Sequence, residues 1–178
     1  TNTNTTIDTV TEPPDQTLDI EDVGRKQITR FLETNYREHD FAALVDAVLR
    51  AQGFETHLSP PGPDGGVDIL AGKGTLGLDS PKVCVQVKSG NTAVDRMTLD
   101  QLIGAMQNFG AEQGLLVAWG GFKRSVLSLK ANRWFNVRLW DSDDFIDALL
   151  DAYNNLDDDV RSTLPFKQVW ALSSDPRS

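Results

Sequence analysis

The segment VCVQVKSG, residues Val83 to Gly90, carries more information about the architecture of this protein than any other part of the chain. It begins as an apolar run typical of an inner strand, but Gln86 and Lys88 interrupt it at a spacing of two. Because residues two apart in a strand point to the same side, these two side chains share one face of the predicted strand. An amide and an ammonium on one face of an otherwise apolar strand indicate a functional site.

A second extended segment, GVDIL at residues 66–70, places Asp68 between two apolar residues. If the two strands are neighbours, Asp68, Gln86 and Lys88 converge at one edge of the sheet. Carboxylate and amide oxygens are hard ligands suited to Mg²⁺, and an ammonium beside them can orient a water or balance charge on a phosphate. The pattern therefore predicts metal-dependent phosphate chemistry. The alternative is a solvated sheet edge with its polar residues turned outward.

Helical and strand patterns alternate on both sides of these segments. The predicted helices cover residues 19–36, 40–53, 98–111, 123–132 and 141–153, and the predicted strands cover residues 54–59, 66–71, 82–89, 114–119 and 136–140. The first three strands follow one another as a meander, and Thr98 with Gln101 three residues later predicts a capping box at the start of the third helix. This order predicts an α/β fold, a mixed β-sheet core flanked by helices on both faces.

The 178 residues, of which 39% are hydrophobic, are enough for one core and therefore for one domain. Residues 1–18 are polar, rich in Thr and interrupted by Pro13-Pro14, so we predict a disordered linker or tail there. The domain itself is predicted over residues 19–155, followed by a C-terminal extension over residues 156–178 that wraps over the core or packs on a missing neighbour. The chain does not begin with Met, which is compatible with a piece of a longer protein and equally with processing.

Composition excludes several classes of function. No apolar stretch approaches the roughly 20 residues needed to cross a bilayer and no signal peptide is visible, so we expect a soluble, cytoplasmic protein without a membrane partner. One Cys and two His cannot build a Cys/His zinc site or a disulfide framework, so any metal is held by oxygen ligands. The net charge of −9 disfavours a general nucleic-acid coat, and a DNA function then needs a local basic patch, a metal ion or a second module.

The two strand segments resemble a known family. PGPDGGVDIL, followed after a Gly-rich loop by VCVQVKSG, is similar to the Mrr-like restriction endonuclease catalytic domains, a branch of the PD-(D/E)XK nuclease superfamily with the variant motif D…QxK. The flanking segments FAALVDAVLRAQGFE, LDQLIGAMQNFGAEQGLLVAW, GGFKRSVLSLKAN and VRLWDSDDFIDALL resemble the same domain in the same order. The resemblance covers residues 40–153, the core of an Mrr-like nuclease domain over residues 19–155, and it implies a restriction-endonuclease-like fold.

The resemblance also implies roles for particular residues. Asp68, Gln86 and Lys88 would be catalytic, and the metal would be bound by Asp68, Gln86 and the backbone carbonyl of Val87. The family often has a glutamate in the first core helix directly after an aromatic residue, where this chain has Ala42. Asp46 and Asp40 are the alternatives for this acidic ligand.

Further residues are weighed individually. Asp64, in the loop before the second strand, is another acidic residue near the site in sequence. Cys84 is interpreted as a small buried thiol and not as a nucleophile. His39 and His57 are interpreted as helix-end and strand-surface residues. Three tryptophans are expected in the core: Trp119, Trp134 and Trp140.

Basic residues that would contact DNA cluster on the predicted helix after the fourth strand: Lys123, Arg124, Lys130 and Arg133. A second set, Arg25, Lys26 and Arg30, lies on the first helix. A solvated helix face explains either set equally well. Recognition is therefore expected from a separate domain or subunit, or from a homodimer.

Together these features predict a metal-dependent DNA endonuclease domain that hydrolyses phosphodiesters with a metal-activated water, in the restriction of foreign or modified DNA. The implied cofactor is Mg²⁺, with Mn²⁺ as a substitute. Two alternatives stay open. One is a non-catalytic DNA-binding or assembly module on a decayed nuclease fold, and the other is a structure-selective DNA nuclease.

Overall fold

The structure is a computed structural model that describes residues 20–62 and 66–170. The predicted linker over residues 1–18 lies outside the described residues, as do Asp64 and the last eight residues of the predicted C-terminal extension. The helices are α1 (Ile20–Asn35), α2 (Glu38–Ala51), α3 (Arg96–Phe109), α4 (Arg124–Leu127), α5 (Ser142–Ala152) and α6 (Asp158–Ser162). The strands are β1 (Glu55–Leu58), β2 (Ile69–Lys73), β3 (Asp79–Lys88), β4 (Gln113–Ala118) and β5 (Val137–Trp140).

The strands form one five-stranded mixed sheet in the order β1-β2-β3-β4-β5. The first three strands are antiparallel neighbours, which confirms the predicted meander. β4 and β5 then run parallel to β3 and to each other, each after a helical crossover. β3 is therefore the central strand, with an antiparallel partner on one side and a parallel partner on the other.

Helices cover both faces of the sheet, as predicted. On one face α2 and α5 pack against side chains that include Val85 and Val87 of β3. On the other face α3 and α4 pack against a second cluster that includes Cys84. Alternate side chains of β3 thus pack into two separate cores, and β3 is buried from Val83 to Val87.

Helix α2 is the best example of how the sequence directs this packing. Phe41, Leu44, Val45 and Val48 recur at helical spacing and are all nearly inaccessible to solvent. The helix ends where Gly53 takes a φ of 83°, a left-handed conformation that glycine adopts without steric cost. Helix α5 begins with a capping box in which the Asp141 side chain accepts hydrogen bonds from the backbone N–H groups of Asp143 and Asp144.

Two predicted helices differ from the observed ones. Helix α3 is capped by Asp95, whose side chain accepts a hydrogen bond from the Thr98 N–H at 3.3 Å, so the predicted Thr98–Gln101 capping box was wrong. Asp95 stands at the correct position relative to the helix and is as good a cap as Thr. Helix α4 stops at Leu127, and turns replace the rest of the helix predicted up to residue 132.

The described part of the C-terminal extension packs on the helical layer. Leu156 and Leu164 are buried, and the ring of Phe166 lies 5.9 Å from that of Phe31 in α1. The Tyr36 hydroxyl hydrogen-bonds Thr163 at 2.7 Å. Residues up to Phe166 therefore wrap over the core as expected, whereas Trp170 is fully exposed.

Candidate active site

A cavity of about 630 Å³ opens at the carboxyl ends of β3 and β4, where two parallel strands finish at the same edge of the sheet. Asp68, Val87 and Lys88 line it on the sheet side. Residues at the beginning of α2 and Lys123 before α4 complete its walls. The structure therefore brings two of the three predicted catalytic side chains, Asp68 and Lys88, to one cavity.

Asp68 lies at a bend directly before β2, whereas the sequence analysis predicted it within the strand. Its backbone still continues the ladder, because its N–H donates to the Val85 carbonyl at 2.9 Å and its carbonyl accepts from the Ser59 N–H at 2.8 Å. Its carboxylate accepts a hydrogen bond from the Val87 N–H at 2.6 Å. These contacts fix both the backbone and the side chain of Asp68 against the end of β3.

The same hydrogen bond shows the direction of the Val87 peptide. Backbone groups of alternate residues in a strand point to the same neighbour. Val85 bonds Asp68 through its carbonyl and Val87 bonds Asp68 through its N–H, so both residues turn their polar groups toward β2. The Val87 carbonyl consequently faces the side of the strand on which Asp68 lies.

Gln86 is buried, with 3% of its surface exposed, and it does not line the cavity. Its side-chain oxygen Oε1 has no hydrogen-bond partner among the described residues. A β-carbon added to Gly66, two residues before Asp68, would lie 3.7 Å from Gln86 Nε2. The amide therefore sits under the loop that leads into Asp68, and a buried polar atom without a partner is costly unless something else satisfies it.

Lys88 is the last residue of β3 and is exposed. Its carbonyl accepts a hydrogen bond from the Trp119 N–H at 2.8 Å, which anchors the end of β3 to the end of β4. The ammonium is thus carried on a fixed backbone at the mouth of the cavity. No ion pair within residues 20–62 and 66–170 includes it.

Neither alternative for the acidic residue of the helix lies in this cavity. Asp46 is buried on α2, but its carboxylate pairs with Arg50 at 3.1 Å, and Arg50 in turn pairs with Asp157 at 2.7 Å. Asp40 lines a different cavity, next to Phe31. Ala42 does line the cavity but contributes no oxygen. The Oδ2 atom of Asp46 is thus paired with the guanidinium one helical turn further on, and its buried Oδ1 atom, which has no hydrogen-bond partner among the described residues, does not line the cavity.

The predicted basic patch is divided by the short α4. Lys123 lines the cavity, whereas Arg124 lies in α4, and Lys130 and Arg133 lie in the turns that follow. All four side chains belong to exposed residues. In the second set, Arg25 pairs with Asp143 and Asp147 of α5, and these carboxylates raise the pKa of its guanidinium. Arg25 is thus a structural link between α1 and α5.

Several cavity residues were not singled out from the sequence. Glu38 and His39 come from the start of α2, Ser89 follows Lys88, and Asp95 is the cap of α3. His39 had been assigned to a helix end, which is correct as a position but omits its contact with the cavity. The available signal was the predicted start of α2, since a helix that covers the end of β3 brings its first turn to the site.

The remaining predictions concern buried side chains. Cys84 is fully buried among apolar residues, and burial raises the pKa of its thiol to about 11, so it is an unreactive core residue as predicted. Trp119 is buried as predicted. Trp134 is 46% exposed with the Arg138 guanidinium 3.8 Å from its ring, so its assignment to the core was wrong. Within the described residues no helix is long and apolar enough to span a membrane.

The mixed sheet with helices on both faces is a restriction-endonuclease-like α/β fold, and a carboxylate and a lysine lie at the adjoining ends of its neighbouring strands β2 and β3. Two solved structures have the same fold: the DNA modification-dependent restriction endonuclease AspBHI, at 22% identity and a TM-score of 0.56, and the MspJI restriction endonuclease in complex with a 27-mer oligonucleotide, at 21% identity and a TM-score of 0.51. They cover 73% and 72% of this chain, but the chain spans only 36% and 31% of their lengths.

A comparison with protein-family models identifies the family. The model of the Mrr catalytic domain, described as restriction endonuclease, matches residues 33–149. The chain therefore belongs to this restriction endonuclease family, which confirms the resemblance noted from the sequence. A search of curated proteins returned no match.

Proposed function

We propose that this chain is the catalytic domain of a divalent-cation-dependent DNA endonuclease that cuts foreign or modified DNA. The observation that carries this proposal is the convergence of Asp68, Val87 and Lys88 on one cavity, with the unpartnered amide oxygen of Gln86 buried on the same strand. Hydrolysis of a phosphodiester needs a fixed carboxylate, a hard-cation site and a positive charge near the phosphate. The cavity offers the Asp68 carboxylate and the Lys88 ammonium for two of these roles, and the buried Gln86 oxygen and the Val87 carbonyl on β3 would complete the cation site.

The donor set suits a hard cation. Asp68, the Gln86 Oε1 atom and the Val87 carbonyl are all oxygen donors, and Mg²⁺ is usually held by one or two carboxylates together with waters and substrate phosphates. Gln86 Oε1 is the strongest indication, because it is buried and lacks a hydrogen-bond partner among the described residues. No group of three or more His, Cys, Asp or Glu side chains suited to a metal occurs in this part of the chain, which agrees with a site that relies on neutral oxygens. When bound, Mg²⁺ or Mn²⁺ would supply Lewis-acid stabilisation of charge on the phosphate.

The protein itself contributes orientation and charge. The Val87 N–H holds the Asp68 carboxylate against the end of β3, so the acid does not have to be ordered when DNA binds. Lys88 projects from an anchored strand end, where its ammonium would balance the charge that develops on the phosphate or orient the attacking water. Lys123 on the opposite wall would contact a phosphate of the substrate.

Recognition is proposed to come from outside this chain. The chain carries a net charge of −9, and Lys88 and Lys123 are the lysine or arginine residues that line the cavity among the described residues. It also spans about a third of the length of the two endonucleases that share its fold. A further domain or subunit, or a homodimer that brings two sites to the two strands of a duplex, would supply affinity and specificity.

The test is cleavage of a supercoiled plasmid by the full chain with Mg²⁺, Mn²⁺ or a chelator. We expect cation-dependent cutting that Asp68→Asn lowers by roughly 100-fold or more, because the cation and its charge stabilisation are lost. Asp100→Asn is the control, since Asp100 is an exposed residue of α3 paired only with Arg96 at the surface. Cutting that persists in Asp68→Asn would assign the chemistry to another site.

A further inference from the structure

Glu38 is the first residue of α2 and lines the same cavity as Asp68 and Lys88. Its side chain is exposed, and no ion pair within the described residues includes it. The other carboxylate in the cavity, that of Asp95, is already engaged as the cap of α3. Glu38 is therefore the second acidic side chain that is available to a ligand in this cavity.

The backbone of Glu38 is held in an unfavourable conformation. Its φ is 47°, and among the described residues it is the one residue other than glycine with a positive φ. A side chain in the left-handed region is strained, and such strain persists only where the surroundings enforce it. Here the Glu38 N–H donates to the Ser89 hydroxyl at 2.9 Å, which ties the start of α2 to the residue after Lys88.

The charge of the proposed cation site indicates a role for the Glu38 carboxylate. A hard cation beside Asp68 would meet one carboxylate and two neutral oxygens, those of Gln86 and Val87, which is a weak donor set for a divalent ion. Ala42, one turn further along α2, faces the cavity without any donor. Glu38, four residues before Ala42, lies on the same side of the helix and carries the missing negative charge.

We propose that Glu38 is the second carboxylate of the cation site, bound to the ion directly or through one water, with Ser89 as the positioning residue for its backbone. This inference rests on the proposed function, because it assumes that the cavity holds a divalent cation. It differs from the expectation for Asp46 or Asp40, since it assigns the acid to the first residue of α2, which lines the cavity and whose N–H is bound by Ser89.

The experiment titrates the full chain with Mn²⁺ in the absence of DNA. Binding is measured by calorimetry and by the rise in melting temperature that the ion produces. Four forms are compared: the unchanged chain, Glu38→Gln, Asp40→Asn and Asp68→Asn. Asp40→Asn is the matched control, because it removes the same charge from the same helical turn but faces another cavity. Glu38→Gln keeps the size of the side chain, so the fold is not at risk.

We expect Glu38→Gln to weaken Mn²⁺ binding by about 10- to 100-fold, the range typical of groups that support a metal site, and Asp40→Asn to change it by less than about 3-fold. Equal affinities in Glu38→Gln and Asp40→Asn would overturn the assignment of Glu38. If Asp68→Asn alone loses Mn²⁺ binding, the proposed function survives without Glu38. If the unchanged chain binds no Mn²⁺, both proposals fall together.

Discussion

The side chain of Gln86 combines two properties that rarely occur together, nearly complete burial and an oxygen without a hydrogen-bond partner among the described residues. Asp46 Oδ1 is the other buried side-chain oxygen without a hydrogen-bond partner among the described residues, but its carboxylate is paired with Arg50 through Oδ2. A buried oxygen without a partner is a cost unless a ligand engages it. A neutral amide tolerates this burial better than a carboxylate would, because an unpaired buried charge is far more expensive. The glutamine therefore favours stability of the cation-free chain over strength of cation binding.

Replacement of Gln86 by Glu tests this balance. Without a cation, Gln86→Glu should lower the free energy of unfolding by about 1–3 kcal/mol or more, because a carboxylate is buried without a partner. With Mn²⁺ the variant should bind the ion more tightly than the unchanged chain and regain stability. Denaturant unfolding with and without Mn²⁺ measures both effects, with Gln101→Glu on the exposed side of α3 as the control. Unchanged or weaker Mn²⁺ binding would show that Gln86 is not a ligand.

Lys88 should matter for cleavage and little for stability. Its side chain is exposed, so Lys88→Ala should change the melting temperature only slightly, while cleavage should fall by about 10²–10⁴-fold if the ammonium acts on the water or the phosphate. Lys82→Ala is the matched control, since Lys82 is an exposed lysine of the same strand that lines a cavity at its other end. Similar cleavage by both variants would remove Lys88 from the mechanism.

At the scale of single residues, the sequence predicted which residues belong to the candidate site better than it predicted where their side chains lie. The period of a strand predicted that Gln86 and Lys88 share a face of β3, and Asp68 and Lys88 do line one cavity. The sequence did not reveal that Gln86 is buried and absent from the cavity lining, because burial depends on tertiary contacts such as the approach of Gly66. The pairing of Asp46 with Arg50 could have been anticipated from their spacing of four residues on a helix.

Among the elements, the loops that follow β3 and β4 set the shape of the cavity wall. The Val94 N–H donates to the Gly121 carbonyl and the Lys123 N–H donates to the Val94 carbonyl, each at 2.9 Å. Gly120 lies so close to the first loop that a β-carbon there would be 2.5 Å from the Asn91 carbonyl carbon. The two loops thus form one unit that carries Lys123 to the site.

Two glycine substitutions should consequently have opposite effects. Gly120→Ala should destabilise the protein by about 1–3 kcal/mol, because the added methyl group would force the two loops apart, and should also reduce cleavage. Gly104→Ala, in the middle of α3 with no atom within 4 Å of the added carbon, should stabilise the protein by about 0.5–1 kcal/mol. Thermal or denaturant unfolding measures both. If Gly120→Ala leaves the free energy of unfolding unchanged, the two loops do not pack closely against each other.

The order and type of the elements followed from local patterns, whereas their ends did not. Apolar periodicity identified α2, α5 and the strands, and the meander followed from the Pro- and Gly-rich segments between the first three strands. The length of α4 was overestimated, because Ser128, Leu129 and Lys130 are all acceptable in a helix and nothing local signals the turns that replace it.

For the whole molecule, the acidic surface limits what the chain can do alone. With a net charge of −9 and scattered basic residues, we expect weak, non-specific DNA binding, with a dissociation constant no tighter than about 10⁻⁴–10⁻⁶ M at physiological salt. Cleavage of methylated and unmethylated plasmids at equal concentration should therefore proceed at similar rates. A strong preference for one plasmid would show that recognition resides in this chain and not in a further domain.

The most direct measurement is the anomalous difference density of a crystal of the full chain soaked in Mn²⁺, because it locates the ion without reference to activity. We expect a peak in the cavity at the end of β3, within coordination distance of Asp68 and Gln86 Oε1. A peak confined to another part of the protein, in crystals of a chain that cuts DNA with Mn²⁺, would contradict the assignment of the active site to Asp68, Gln86 and Lys88.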